Sequence, residues 1–170
     1  RPGLAALGLA HLQGKTVLPD AVRALCIAAL QKPQPRVALG LALQNRMLAR
    51  SAIDVSDGLL ADLGHIAERS GVDAEVALAQ LPRLPDGVET SLALQCQLAG
   101  GDDYELIFTA AVEKCAELSD LAAELALPLW RIGRIVAASD RGEVRVLDES
   151  GRIVPIARKG FDHFGQDQKQ

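Results

Sequence analysis

Missing from this 170-residue sequence is any charge-free apolar run near the roughly 18 residues that a membrane-spanning helix requires, although 49% of its residues are hydrophobic. No helical membrane span is expected, and a soluble chain is. Also missing is a basic patch. The 18 Lys and Arg are scattered among 22 Asp and Glu, for a formal charge of −4, and nothing could track a phosphate backbone. Nucleic acid is therefore set aside as a partner. Cysteine is scarce: Cys26, Cys96 and Cys115 form no C-x-x-C and leave an odd thiol in any pairing, which fits a reducing cytosol better than secretion. They read as small buried hydrophobes. There is no G-x-G-x-x-G, H-E-x-x-H or G-x-S-x-G, and "LQGKT" fails as a P-loop because Leu9 stands where its first glycine should be. No internal repeat or low-complexity segment is evident.

What is present suits one domain with a real core. The opening "RPGLAALGLAHL" has no initiator Met and no charged leader, so the chain reads as a fragment that starts inside an element. "LPDAVRALCIAALQK" sets Val22, Leu25, Ala29 and Leu30 on one stripe, predicting a helix over 20–31 stopped by Pro33 and Pro35. "SAIDV" is a short strand, and the following "DGLLADLGHIAERSG" places Leu59, Leu63 and Ile66 at helical spacing and closes on Gly71. Further strands are expected at 74–78, in "YELIFTA" and in "WRIGRIV", with a hairpin from "EVRVLD" and "RIVPI". Helices are expected in "VETSLALQCQLA" and in "VEKCAELSDLAAELAL", the latter ended by Pro128. Strands interleaved with helices predict a layered α+β domain with a mixed sheet and flanking helices.

Negative charge is concentrated at two junctions. In "SAIDVSDGLLADL" the structural reading makes Ser56 an N-cap and puts Asp57 in the first helical turn, where the helix dipole favours it. That leaves Asp54, in a strand pattern that disfavours Asp, unexplained. The functional reading turns Asp54 and Asp57 toward a hard cation such as Mg²⁺, with Gly58 leaving space for a ligand. Spacing alone does not choose between them. In "LAGGDDYEL", Gly100 and Gly101 would supply positive φ, and Asp102 and Asp103 would solvate the turn. Two acidic turns meeting at one sheet edge would repel unless a cation sat there. His11, His65 and His163 suit structural or surface roles.

"SAIDVSDGLLADLGHI", "LAGGDDYELIFT", "QPRVALGLAL" and "KGFDHF", in that order, resemble the C-terminal half of the bacterial thiamine-monophosphate kinases, in the aminoimidazole-ribonucleotide-synthetase-like superfamily. The resemblance runs from about Pro2 to Phe164. It implies residues 1–164 as a substrate-side domain, with 165–170 a disordered tail. It also implies an activity that moves the γ-phosphoryl of ATP to thiamine monophosphate with Mg²⁺ as cofactor, in the cytoplasm. By motif position, Asp54 and Asp57 would bind metal, Ser56 ATP, and Asp102 and Phe161 the substrate. Two departures stand out: Asp102 where the family usually has Glu, and Gly3-Leu4 where it usually has Gly-Asp. The family's N-terminal half, which holds most ATP and metal ligands and forms the homodimer, is missing, so little or no activity is expected of this chain alone. Two other readings remain open: a different ATP-dependent synthetase of the superfamily, and a non-catalytic ligand-binding or assembly module.

Overall fold

The computed structural model describes residues 1–138 and 142–156. The motif at 159–164, with Phe161 and His163, and the 165–170 tail lie outside the described residues. Helix α2 (Asp20–Gln31) falls where its periodicity and its two prolines put it. Its buried stripe is Val22 and Cys26, however, and Leu25 is 46% exposed. Two further helices, α1 (Leu4–Leu12) and α3 (Val37–Asn45), are so uniformly apolar that no 3.6-residue period marks them.

Strand β1 (Ser51–Asp54) leads to α4 (Leu59–Ser70), closed by Gly71 in a left-handed conformation. Strand β2 (Val72–Ala77) starts earlier than its apolar core suggested and runs into a 3-10 turn at Leu78–Gln80. In α5 (Thr90–Ala99) the Glu89 carboxylate accepts from the Ser91 and Leu92 amides at 2.8 Å each, satisfying two of the free donors at the helix start. After β3 (Leu106–Thr109), the expected long helix divides into a 3-10 turn (Val112–Lys114) and α6 (Cys115–Glu124). It ends before Pro128, where Ala126 takes φ 48° and the Leu127 amide reaches back to the Ala122 carbonyl. Strands β4 (Gly133–Ala137) and β5 (Val144–Leu147) complete the order. The second arm of the anticipated hairpin is reduced to a single bridge, Leu147 to Ile153.

The layered α+β expectation holds, but the strands form two sheets. β1 pairs antiparallel with β3, from Ser51 opposite Thr109 to Asp54 opposite Leu106. β2 lies between β4, antiparallel, and β5, parallel. Helix α4 packs across both, burying Leu59, Leu60, Leu63 and Ile66 with Val55, Val76, Leu98, Ile107 and Val146. Each fully buried Leu or Ile there contributes roughly 1.5–3 kcal/mol, so α4 joins the two sheets more firmly than any hydrogen bond between loops could. A second cluster joins α1, α2 and α5 around Leu7, Leu18, Cys26 and Cys96. A third, Leu39, Leu43, Leu48 and Leu121, packs α3 and α6 on the β1–β3 side. Among the described residues no helix is long and apolar enough to cross a membrane.

Candidate functional site

The antiparallel register of β1 and β3 dictates the site. Because Asp54 lies opposite Leu106, the residues following β1 and those preceding β3 emerge at the same end of the ribbon. Backbone bonds continue the ladder past the strands: Val55 donates to the Glu105 carbonyl at 2.8 Å, Tyr104 to Val55 at 3.0 Å, and Asp102 to Ser56 at 3.0 Å. The two acidic stretches are thus stitched side by side.

Alternate residues of the second stretch face opposite ways. Asp102 and Tyr104 are exposed. Asp103 turns inward and accepts from the backbone amides of Gly3 and Ala5, capping α1 across the chain. Burial pushes the Asp103 carboxyl up to about 6, against the pull of those two amides. Glu105 accepts a bidentate fork from Arg36, Nε at 2.7 Å and Nη2 at 2.8 Å. Burial alone would raise the Glu105 carboxyl, and the Arg36 guanidinium opposes that shift. The expectation that Asp103 solvates the turn is therefore corrected: its carboxylate ties the turn to α1.

The first stretch is held by a residue that the sequence reading passed over. Asp62 is 2% exposed in the first turn of α4, and its Oδ2 accepts from the Ser56 amide at 2.9 Å and the Asp57 amide at 3.1 Å. Burial raises its carboxyl, and the two amides oppose that shift. The capping roles read for Ser56 and Asp57 do not hold, because Gly58 occupies the N-cap position and makes no side-chain cap. The available signal was position: Asp62 falls inside the Leu59–Leu63–Ile66 stripe, where a carboxylate needs partners.

The glycines also act differently from expectation. Gly58 is buried at φ 111°, and a Cβ on it would stand 2.9 Å from the Ala99 carbonyl carbon and oxygen. It admits the end of α5 rather than a ligand. Neither Gly100 nor Gly101 supplies positive φ; Asp102 (φ 65°) and Tyr104 (φ 50°) do. A Cβ on Gly101 would collide with the Ser56 carbonyl, so this glycine permits the close approach of the two acidic stretches.

Asp54, at the end of β1, and Asp57 and Asp102, on the joined turns, are exposed, and Ser56 is half-buried; Phe161 lies outside the described residues. Among the described residues, Asp57, Asp62 and His65 form the group of acidic and His side chains close enough to share an ion, their ligand atoms lying within 4.8 Å of one another. Asp54 is not in that group. Exposed aspartates that leave room for water suit Mg²⁺, which takes one or two carboxylates and keeps water in its shell. Of the cysteines, Cys26 and Cys96 are buried as expected, whereas Cys115 is exposed.

Paired acidic turns at the end of a two-stranded ribbon, braced by a helix crossing both sheets, define a domain class that the comparisons identify. The chain belongs to the family described as AIR synthase related protein, C-terminal domain, which it matches over residues 5–146. More particularly, it is 41% identical over 167 residues to the thiamine-monophosphate kinase of Escherichia coli strain K12, covering 96% of this chain and 50% of that protein. Among solved structures it is similar to the thiamine-monophosphate kinase of Stenotrophomonas maltophilia K279a, with TM-score 0.74 and 46% identity over 85% of this chain and 47% of that one. It is also similar to a structure described as AaThiL complexed with AMPPCP and TMP, with TM-score 0.72 and 27% identity over 96% of this chain and 48% of that one. The chain spans about half the length of the curated relatives it matches.

Proposed function

We propose that this chain is the substrate-side half of an ATP- and Mg²⁺-dependent kinase that converts thiamine monophosphate to thiamine diphosphate in the cytoplasm. The observation that supports the reading is the Asp102-to-Ser56 backbone bond, which joins the turn that would face the substrate to the loop that would hold nucleotide and metal. Similarity to kinases of that name supports the substrate.

In the proposed reaction an oxygen of the thiamine monophosphate phosphate attacks the γ-phosphorus of ATP. The bond from that phosphorus to the bridging oxygen breaks, and ADP leaves with the electron pair. Donor and acceptor are both anionic, so the main task is to position them and offset repulsion. Asp54 and Asp57 would hold Mg²⁺, which when bound supplies that neutralisation. The Ser56 hydroxyl would donate to the nucleotide. Asp102 would face the permanent thiazolium charge, and Phe161 would offer an aromatic face to the thiamine rings. Most ATP and metal ligands, and the homodimer contact, would come from an N-terminal half of the same protein. This chain alone would then have little or no activity.

The test is turnover by the full-length gene product, measured as thiamine diphosphate formed from ATP and thiamine monophosphate. Asp57→Asn should lower turnover at least about 10-fold, as expected on losing a metal ligand, with folding intact. Turnover of a different acceptor, and none of thiamine monophosphate, would reject the reading in favour of another synthetase. Neither turnover nor calorimetric binding of thiamine phosphates would reduce the chain to an assembly module.

A further inference from the structure

We infer that the Arg36–Glu105 ion pair is a positioning device for a cationic ligand: it fixes the 102–105 turn so that Asp102 is presented beside the β1–α4 loop. The inference rests on the proposal that Asp102 faces the thiazolium, and it deepens that proposal.

Two non-glycine residues within three positions, Asp102 at φ 65° and Tyr104 at φ 50°, occupy the left-handed region. Such conformations persist where the surroundings over-determine them. The constraints here alternate with the strained residues. The amides of Asp102 and Tyr104 are bonded to Ser56 and Val55, and the side chains of Asp103 and Glu105 are bonded to α1 and to Arg36. Two of these constraints hold a carboxylate by both oxygens: the Gly3 and Ala5 amides on Asp103, and Arg36 on Glu105. A guanidinium fork meeting both carboxylate oxygens fixes a plane, which a lysine ammonium cannot do. Arg36 and Glu105 side chains are 25% and 22% exposed, sheltered enough to escape the near-zero value of an open surface pair.

The pair also ties the turn to a rigid body. Arg36 immediately precedes α3, whose Leu39 and Leu43 lie in the third cluster, and Leu106, the residue after Glu105, packs against that same cluster. Movement of the turn is thereby coupled to movement of a helix. Pairing has an electrostatic consequence as well. Arg36 offsets the charge of Glu105, and Asp103 is turned inward onto α1, so Asp102 is the carboxylate of the turn left to face a ligand.

The experiment uses the full-length gene product carrying Arg36→Lys, which keeps the charge and loses the fork. KM for thiamine monophosphate should rise about tenfold, equivalent to ~1.4 kcal/mol, while KM for ATP and kcat stay within about twofold. Amide hydrogen exchange at Asp102 and Tyr104 should accelerate. Glu105→Gln should repeat the selective KM effect, and the swapped pair Arg36→Glu with Glu105→Arg should recover most of it. An unchanged KM for thiamine monophosphate in both single variants would overturn the inference, as would a parallel rise in both KM values with a fall in kcat, the mark of general loosening. Failure of the unsubstituted enzyme to phosphorylate thiamine monophosphate would instead remove the proposed function, and this inference with it.

Discussion

Replacing Asp62 tests whether one buried carboxylate shapes the first acidic turn. Its Oδ2 accepts from the Ser56 amide at 2.9 Å and the Asp57 amide at 3.1 Å, and the side chain is 2% exposed. In Asp62→Ala both amides lose their acceptor. Asp57 is exposed, so its amide regains water at little penalty; Ser56 is half-buried, and an amide orphaned there costs about 1–3 kcal/mol. A small void under α4 adds to this, for a total of about 2 kcal/mol, or a fall in Tm of roughly 4–8 °C for a chain of this size. Asp62→Asn should cost less than about 1 kcal/mol, because its carbonyl still accepts and the buried charge is gone. Chemical denaturation of the three proteins measures the differences, and amide exchange at Ser56 and Asp57 localises them. Equal losses in Ala and Asn, or a harmless Ala with unchanged exchange at both amides, would refute the assignment.

Other outcomes follow from the same geometry. Burial lifts the Asp103 carboxyl from the ordinary 3.8 to about 6, so the folded state holds this proton more tightly than the unfolded chain does. Its contribution is greatest below about pH 4 and declines by up to about 3 kcal/mol as pH rises to about 6. Asp103→Asn should lack that decline when denaturation midpoints of the two proteins are compared across pH 4–7. Gly58→Ala combines a left-handed backbone with a Cβ 2.9 Å from the Ala99 carbonyl, and should lower stability by about 2 kcal/mol or more in urea titration. Thiol titration of the native protein should label Cys115 rapidly and the other two slowly, because Cys26 and Cys96 are buried and burial pushes the Cys96 thiol up to about 11.

Much of the fold was legible where a period met a stop signal. Helix α2 ends ahead of Pro33, and α4 runs from the Gly58 junction to Gly71, because amphipathic spacing and terminators agree there. Helices α1 and α3 escaped because an element apolar on every side has no phase to read. The division into two sheets depends on which strand finds which, Ser51 with Thr109 and Ala74 with Val144, and local sequence carries no such information. At the candidate site, the acidic pattern offered Asp54 and Asp57, and the family resemblance added Asp102. The division of labour within "DDYE", outward at 102 and 104 and inward at 103 and 105, arises only from tertiary partners on α1 and at Arg36. Positive φ fell on Asp102 and Tyr104 because the Gly101 position was needed for proximity to Ser56.

The bond between residues 56 and 102 also bears on the order of events during synthesis. A nascent chain that has emerged only as far as α5 possesses the first acidic turn and the Asp62 carboxylate that holds it, but not the ribbon partner alongside. Closing so long a loop is entropically slow, and it must precede any gain from the contacts it makes. The pair of joined acidic turns therefore matures late, after β3 has been made and zipped onto β1, and premature termination before Leu106 leaves a polypeptide in which that pair cannot form.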